Sequence, residues 1–317
     1  MSEPFVRPDV RKFLDFLNAL PGPRSHEVGP AEARQMMHAS RHVADAPVGE
    51  LAMIRDIGGG PVPMRLYDAR EERPAGPIIL FFHGGGFVLG DLHTHEPFCA
   101  EMARAMDLPV LAVDYRLAPE HPWPAGPEDA IACARWAAAS PAGLGREVTG
   151  LVTCGDSAGG NIAIVVGLAL RDEPAAVPVL AQFPIYPAAD PAKGYPSFTD
   201  FAEGYLLTRD SMRWFDDCYA ADAKDWRFSP LVKSQVGMPP TLVLTASLDP
   251  IRDQGRAYAA ACVAAGVPTV FREAQGNIHG FINLRKAIPS SDEDIRGCFQ
   301  ALKLMLSEAL FTPTRSG

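Results

Sequence analysis

Residues 155–160 read Gly155-Asp156-Ser157-Ala158-Gly159-Gly160. The apolar run Leu151 to Cys154 precedes this hexapeptide, and the apolar run Ile162 to Leu170 follows it. A Gly-x-Ser-x-Gly pattern between a strand and a helix is typical of a sharp turn that exposes the serine hydroxyl, because glycine on either side lets the backbone pack closely around it. A serine that only caps a helix does not require both glycines. The pattern therefore predicts Ser157 as a nucleophile at the end of a strand.

From about residue 52 onward, the chain alternates short β-type runs with helical patterns. Continuous apolar runs are typical of parallel strands covered on both faces, and repeated βα units indicate a doubly wound sheet. The predicted strands are Met53 to Ile57, Met64 to Tyr67, Ile78 to Phe82, Val110 to Asp114, Leu151 to Cys154, Val179 to Phe183, Leu242 to Thr245 and Thr269 to Arg272. The predicted helices are Pro97 to Met106, Gly126 to Ala139, Ala158 to Leu170, Arg252 to Ala265 and Asp292 to Leu310.

Two segments do not follow this alternation. In residues 1–50, apolar residues recur at helical spacing from Val10 to Leu17 before Pro21 ends the pattern. Residues 190–228 are rich in aromatic side chains, namely Tyr195, Phe198, Phe201, Tyr205, Trp214, Phe215, Tyr219, Trp226 and Phe228. We therefore expect a helical cap from residues 1–50 and 190–228 over a core from residues 51–189 and 229–317. The aromatic segment is either a layer with its own small core or a lid that also lines a substrate pocket.

Charge and composition exclude several classes of protein. The chain has 38 acidic and 29 basic residues, a net charge of −9, and no basic block that favours nucleic acid. Its longest apolar run, Ile162 to Leu170, is too short to span a bilayer, so no membrane partner is expected. The N-terminus shows no basic segment leading into an apolar one, which favours a cytoplasmic location. The six cysteines lack CxxC spacing and indicate reduced, mostly buried thiols.

A serine hydroxyl needs a base to remove its proton, and in hydrolases with this turn the acid and then the histidine follow the serine in the chain. His279 is the only one of eight histidines beyond Ser157, and it follows the last predicted strand. It is therefore the predicted general base. Asp249 follows the strand that ends at Thr245, and Asp253 lies four residues later. Either carboxylate could instead only stabilise the N-terminus of the next helix. We prefer Asp249 because the strand exit directs it toward the histidine loop.

The oxyanion of a tetrahedral intermediate needs hydrogen-bond donors. The segment after the strand that ends at Phe82 reads His83-Gly84-Gly85-Gly86. Because glycine has no side chain to obstruct them, the backbone N–H groups of this segment can point into the site. The N–H of Ala158, directly after the nucleophile, adds a further donor. The glycine segment lacks the Lys and Ser/Thr of a phosphate-binding loop, and the segment at His95 does not match the zinc motif HExxH. No metal and no cofactor are therefore predicted.

These motifs together resemble the bacterial hormone-sensitive lipase family of α/β-hydrolases, also called family IV carboxylesterases. The resemblance covers about residues 1–310 and rests on five segments in order: His83 to Asp91, Asp114 to Pro122, Gly155 to Gly160, Asp249 to Asp253, and His279 to Phe281. It implies a mostly parallel eight-stranded sheet flanked by helices, with a helical cap. It also implies Ser157, Asp249 and His279 as a catalytic triad. The implied oxyanion donors are Gly84, Gly85 and Ala158.

The resemblance further implies a serine carboxylesterase that acts without a cofactor on small-molecule esters of short to medium acyl chains, and a homodimer through edge elements of the sheet. Phe87, Tyr186, Tyr205 and Phe281 are the expected lining of the substrate pocket. An amidase, a lactonase or a deacetylase with the same triad is an alternative; a ligand-binding protein on the same fold is another, against which the intact triad argues. Asn277 departs from the family, which more usually has an apolar or small residue there, and places a polar group near the catalytic histidine.

Overall fold

One eight-stranded sheet runs through the computed structural model, which describes residues 3–311 of the 317-residue chain. Its strands are β1 (Met53–Ile57), β2 (Met64–Asp68), β3 (Gly76–Phe82), β4 (Val110–Val113), β5 (Val148–Asp156), β6 (Val179–Ile185), β7 (Thr241–Leu248) and β8 (Thr269–Ile278). The spatial order is β1-β2-β4-β3-β5-β6-β7-β8. Strand β2 is antiparallel to both of its neighbours, and all other neighbours are parallel. The predicted mostly parallel, eight-stranded sheet is confirmed.

The helices flank this sheet. They are α1 (Pro8–Ala19), α2 (Pro30–Ala44), α3 (Glu96–Met106), α4 (Ala125–Ala138), α5 (Ala158–Asp172), α6 (Pro196–Asp200), α7 (Arg209–Tyr219), α8 (Arg252–Ala264) and α9 (Ser291–Phe311). Single 3₁₀ turns lie at Ser25–Glu27, Ala142–Leu144, Pro230–Val232 and Phe281–Asn283. The five helices predicted between strands correspond to α3, α4, α5, α8 and α9. None of the helices within the described residues is long and apolar enough to cross a membrane.

The central strands are buried on both faces, and their alternating side chains contribute to two cores. In β3, Ile79 and Phe81 pack with α3 and α9, while Ile78, Leu80 and Phe82 pack with α4 and α5 on the opposite face. Because successive side chains of a strand point to opposite faces, an unbroken apolar run is what a doubly covered strand requires. The same rule explains why these strands could be recognised from apolar runs alone.

Five strands, β2, β5, β6, β7 and β8, extend beyond their predicted carboxyl ends, and the extensions of β5 and β8 lead to Ser157 and His279. Strand β5 continues to Asp156, because Asp156 pairs with Ile185 of β6 immediately before the turn that carries Ser157. Strand β8 continues to Ile278 rather than ending at Arg272, because its last residues rejoin β7 where Leu248 pairs with Ile278. His279 therefore lies directly at the end of a strand rather than within a longer turn.

The two segments outside the alternation are helical. Helices α1 and α2 precede the sheet, and α6 and α7 lie between β6 and β7. Val10 and Leu14 of α1 pack against Phe201 and against Ile278 at the end of β8. Helix α7 begins with a capping box, in which Thr208 and Ser211 each accept the other's backbone N–H.

The turn from β5 into α5 brings backbone unusually close to the end of β3. A Cβ atom on Gly159 would lie 1.9 Å from the carbonyl oxygen of Phe82, and one on Gly155 would lie 2.3 Å from the carbonyl oxygen of Gly159. Neither neighbour is a flexible side chain, so the backbone itself would have to move. Glycine is therefore required at both positions by space rather than by backbone conformation.

We expect Gly159→Ala to lower the free energy of unfolding by about 2 kcal/mol or more, because overpacking typically costs 1–3 kcal/mol and here meets backbone. Urea unfolding followed by circular dichroism measures the difference. Gly194→Ala is the matched control, since a Cβ atom there meets nothing within 4 Å. Equal stability of the two variants would contradict this account of the turn.

Candidate active site

Ser157 occupies the tight turn between β5 and α5. Its backbone has φ 57° and ψ −116°, a conformation that residues with a side chain rarely adopt. The N–H of Ser157 donates to Ile185 O at 2.9 Å, and its carbonyl accepts the N–H of Asn161 at 3.0 Å. These bonds on both sides of the residue hold a strained conformation in place. Strain of this kind clusters at functional sites.

The structure brings Ser157, His279 and Asp249 together in one line. His279 Nε2 lies 2.8 Å from Ser157 Oγ, and His279 Nδ1 lies 2.7 Å from Asp249 Oδ2. Asp249 is fully buried and its other oxygen accepts the N–H of Ile251 at 2.8 Å. Because an ionised carboxylate only accepts hydrogen bonds, the ring proton resides on Nδ1, which leaves Nε2 free to accept the serine hydroxyl.

Asp253, the alternative acid, has other contacts. Its Oδ2 accepts the N–H of Ser197 at 3.0 Å, and its Oδ1 accepts Arg252 Nε at 2.8 Å. These bonds connect the start of α8 to the start of α6. Of the two candidate carboxylates, the structure places Asp249 against His279 and leaves Asp253 in a structural role.

The glycine segment after β3 requires one correction to the predicted oxyanion donors. The N–H of Gly84 donates to Asp156 Oδ1 at 2.7 Å, so it is not available to a bound oxyanion. Within residues 3–311, the N–H groups of Gly85 and Gly86 have no hydrogen-bond partner. Ala158 is the first residue of α5, where an N–H group has no intrahelical acceptor. The unoccupied donors beside Ser157 are therefore those of Gly85, Gly86 and Ala158.

Asp156 is a buried carboxylate that sequence reasoning missed. Besides Gly84, it contacts His95, whose Nε2 lies 3.2 Å from Asp156 Oδ1, and Tyr186, whose hydroxyl donates to Oδ2 at 3.4 Å. Burial alone would raise the pKa of Asp156, but the His95 ring and the Gly84 N–H together lower it. An ionised Asp156 thus fixes the glycine segment from behind. The sequence feature that could have indicated this role is the position of Asp156 directly before Ser157 in the Gly-x-Ser-x-Gly turn.

The four residues predicted to line the substrate pocket separate into three groups. Tyr186 and Phe281 are fully buried and pack edge to face, with ring centroids 5.5 Å apart. Both belong to the core cluster that includes side chains of α3 and α9, and Tyr186 also packs on the His279 ring at 4.6 Å. Tyr205 is half-buried against Phe201. Phe87 follows the glycine segment and is covered by α7.

Aromatic side chains of α7 cover the glycine segment. The Phe215 ring lies 2.3 Å from the position that a Cβ atom of Gly86 would occupy. Tyr219 stacks on Phe87 with a centroid distance of 3.9 Å and an interplanar angle of 4°. The ring centroids of Tyr219 and Phe228 are 6.2 Å apart. Beyond this stack lies an open cleft of about 270 Å³ lined in part by Asp216 and Ala220. The aromatic enrichment of residues 190–228 was the sequence signal for this cover.

The histidines near the site have partners other than a metal ion. His93 Nδ1 lies 3.3 Å from Arg65 Nη1, and His95 Nδ1 lies 2.9 Å from Thr94 Oγ1. Across the described residues, no group of three or more His, Cys, Asp or Glu side chains is arranged to hold a metal ion. The arrangement of groups that the structure does show consists of a hydroxyl, an imidazole, a carboxylate and free N–H donors.

A serine hydroxyl in contact with an imidazole, which is held by a buried carboxylate, at the carboxyl ends of parallel strands defines a class: the serine-dependent hydrolases of α/β fold. Comparisons with known proteins agree. The α/β-hydrolase-fold family model matches residues 79–283, which is more than half of the chain. The chain therefore belongs to this family, in the bacterial hormone-sensitive lipase branch that its motifs predicted.

Several characterised relatives match over nearly their whole length. Esterase LipI of Mycobacterium tuberculosis is 33% identical over 96% of this chain and 97% of its own. The ethyl acetate hydrolase of Pseudomonas putida is 33% identical over 94% of this chain and 98% of its own. Among solved structures, the ester hydrolase EH1AB1 from the Lake Arreo metagenome, complexed with a bipyridine phosphonate derivative, has a TM-score of 0.89 at 34% identity and covers 96% and 99% of the two chains.

His83, at the start of the glycine segment, is buried and neutral. Burial, and next the neighbouring His95, lower its pKa to about 4. Its Nδ1 lies 2.8 Å from Gly84 O, so this nitrogen carries the proton, and among the described residues Nε2 is a buried acceptor without a hydrogen-bond donor. The ring stacks on Tyr115 at 4.3 Å. The site's glycine segment is thus attached to a histidine that the fold keeps uncharged.

We expect the free energy of unfolding to fall as the pH decreases from about 6.5 to about 4, because the unfolded state binds a proton that His83 in the fold refuses. The loss attributable to His83 is roughly 3 kcal/mol across that window. Urea unfolding at several pH values measures it. His83→Gln should show a shallower pH dependence, and the exposed-site control His121→Gln should match the wild type. Identical slopes for all three proteins would refute the assignment.

Proposed function

We propose that the protein is a serine carboxylesterase that hydrolyses short to medium acyl esters through an acyl-enzyme intermediate. The observation that carries this proposal is the pair of contacts at His279, 2.8 Å to Ser157 Oγ and 2.7 Å to Asp249 Oδ2. The relatives named above are called an esterase, an ethyl acetate hydrolase and an ester hydrolase. These names support an ester as the substrate class.

The proposed reaction follows from the hydrogen bonds. His279 Nε2 takes the proton of Ser157 as Oγ bonds to the ester carbonyl carbon, and the carbonyl oxygen becomes an oxyanion. Asp249 holds the ring and stabilises its positive charge. His279 then gives the proton to the leaving alcohol, which leaves an acyl-serine. Water, deprotonated by the same nitrogen, then attacks the acyl carbon; the bond from this carbon to Oγ breaks, His279 returns the proton to Oγ, and the carboxylic acid leaves free Ser157.

The oxyanion would be held by the N–H groups of Gly85, Gly86 and Ala158. Each donor of this kind contributes roughly 3 kcal/mol to the transition state. Gly84 serves differently: its bond to Asp156 orients the segment that presents the next two N–H groups. These donors are backbone groups whose positions are fixed by the end of β3 and the start of α5. They therefore need no rearrangement when negative charge develops on the carbonyl oxygen.

The limit on acyl chain length would come from the stack of Phe87 and Tyr219. Phe87 directly follows Gly85 and Gly86 in the chain, and Phe87, Tyr219, Phe228 and Ala158 belong to one apolar cluster, which supports a position of the stack near the turn that carries Ser157. A short acyl group would end against these rings, and a longer one would need the cleft beyond them. Tyr219 is buried, and in the described part of the chain its hydroxyl has no hydrogen-bond partner, which supports the ring rather than the hydroxyl as this boundary.

The triad proposal predicts that Ser157→Ala lowers kcat for a p-nitrophenyl butyrate substrate by a factor on the order of 10⁴ or more, because no other group replaces the nucleophile. Thermal unfolding should stay near that of the wild type. Ser40→Ala, on the exposed side of α2, is the control and should keep full activity. Retained turnover in Ser157→Ala would overturn the mechanism.

The same assay separates the ester proposal from its alternatives. Butyrate esters, the corresponding anilides, small lactones and acetylated amines are compared by kcat/KM on the wild-type enzyme. Esters should react fastest. If amides or lactones reacted faster, the proposed substrate class would be wrong although the proposed triad could still hold. Binding without any turnover would indicate a ligand-binding protein.

The implied homodimer stays a prediction that light scattering at micromolar concentration tests.

The acyl-length proposal predicts that Tyr219→Ala raises the ratio of kcat/KM for octanoate over butyrate by roughly tenfold, since each buried methylene is worth about 0.8 kcal/mol. Tyr219→Phe is the matched control and should leave the ratio unchanged. Tyr205→Ala tests the other predicted pocket residue. A shift of the ratio in Tyr205→Ala but not in Tyr219→Ala would place the acyl end on the opposite side of Ser157.

A further inference from the structure

The strand that carries His279 is interrupted just before it. In the pairing of β7 with β8, Ala246 faces Ala274 and Leu248 faces Ile278. A step of two residues in β7 is therefore matched by a step of four in β8, and residues 275–277 form a bulge without paired residues. Bulges redirect the side chains that follow them and are frequent beside active sites. The orientation of His279 depends on what fixes this bulge.

Arg7, from the segment before α1, bonds to the bulge twice. Its backbone N–H donates to Gly276 O at 3.2 Å, and its side-chain Nε donates to Gln275 O at 2.7 Å. On the other side, the N–H of Gly276 donates to Ser247 Oγ at 2.7 Å. Gly276 has φ +73°, which glycine adopts without strain. The bulge is thus held between β7 and the N-terminal segment.

The guanidinium of Arg7 is itself fixed by Asp294 of α9. The two N–H···O contacts are 2.7 and 3.0 Å, and both side chains are only 17% exposed. Paired bonds of this kind restrict geometry more than a single charge contact does. Helix α1 adds apolar packing, since Val10 and Leu14 contact Ile278.

Asn277 joins this arrangement to the residue next to the histidine. It is fully buried, and its Nδ2 donates to Asp294 Oδ2 at 3.3 Å and to Ser291 Oγ at 3.1 Å. Its Oδ1 accepts the N–H of Ile278 at 3.0 Å. An apolar residue here could make none of these bonds. The polar side chain that departs from the family pattern is therefore bonded to α9 and to its own strand.

We propose that Arg7 is a positioning residue for His279, acting through Asp294 and Asn277 on the bulge of β8. This inference rests on the proposed function, because it assigns Arg7 to the activity of the same histidine. It makes the N-terminal segment part of the catalytic machinery in an indirect way, although Arg7 and Asp294 both lie outside the residues matched by the family model. Loss of Arg7 would let His279 move away from Ser157 Oγ without changing any group that contacts the ester.

The test compares Arg7→Ala, Arg7→Lys and Asp294→Asn with wild type, and Arg11→Ala serves as the control on the exposed side of α1. Hydrolysis of p-nitrophenyl butyrate gives kcat and KM. Arg7→Ala should lower kcat roughly tenfold or more with KM within about twofold, since small displacements of catalytic groups cost up to about a hundredfold. Arg7→Lys should recover part of kcat because it keeps the charge near Asp294 but not both paired bonds. Arg11→Ala should match the wild type.

Titration of Ser157 with a p-nitrophenyl phosphonate distinguishes positioning from simple loss of fold. A positioning role predicts that Ser157 of Arg7→Ala is labelled to the same final extent as in wild type but more slowly. The melting temperature of Arg7→Ala should lie above the assay temperature, so that the protein is folded during the assay. A reduced extent of labelling that accounts for the whole loss of kcat would overturn the proposal, as would wild-type kcat in folded Arg7→Ala. If Arg7→Ala does not fold, kcat and the phosphonate labelling of Arg7→Lys and Asp294→Asn are used to test the proposal instead.

These outcomes are distinct from failure of the proposed function. If wild-type protein neither hydrolyses the butyrate ester nor reacts with the phosphonate, the esterase proposal fails first, and the positioning proposal fails with it. If wild type does both and the Arg7 and Asp294 variants are folded and unimpaired, only the positioning proposal fails. A coupling measurement adds a further criterion: Arg7→Ala and Asn277→Ala should cost less together than the sum of their separate effects. Fully additive losses in kcat would contradict the connected arrangement.

Discussion

The contact between Gly159 and the carbonyl of Phe82 places the two halves of the site beside each other. It brings the end of β5, which carries Ser157, against the end of β3, which carries the glycine segment. The unusual φ of Ser157 costs about 1–3 kcal/mol, and it persists because the strand before it and the helix after it are both fixed. The spacing between the hydroxyl and the N–H donors is thus set by backbone packing, which has few ways to relax.

Asp156 places a negative charge close to where an oxyanion would develop, which would be unfavourable if that charge were uncompensated. The structure compensates it with the Gly84 N–H, with the His95 ring and with the Tyr186 hydroxyl. The same bonds give Asp156 its second effect, since the Gly84 N–H that it accepts fixes the direction of the next residues. One buried carboxylate therefore supports both the turn and the loop.

The sequence was sufficient to predict the sheet, and it also singled out the three side chains that the structure brings into contact, Ser157, Asp249 and His279, because both predictions depend on short-range patterns. Apolar runs report strands buried on two faces, and groups that follow the carboxyl ends of parallel strands meet at one edge. Other features depend on information that a local pattern lacks. Which N–H of consecutive glycines faces the site is set by backbone angles, so Gly84 was misassigned. The burial of Phe281 follows from the chain path after His279, and Arg7 lies 287 residues from its partner Asp294.

The position of β8 at the edge of the sheet explains why a distant arginine is needed near His279. A strand inside a sheet is held from both sides, but β8 has only β7 as a neighbouring strand within residues 3–311. Its bulge leaves the carbonyl groups of Gln275 and Gly276 without partners in β7, and unpaired backbone groups near the core are costly. Arg7 bonds to both of these carbonyls. The N-terminal segment thus supplies the hydrogen bonds that a further strand would have supplied, at the point where the chain leaves the sheet toward His279.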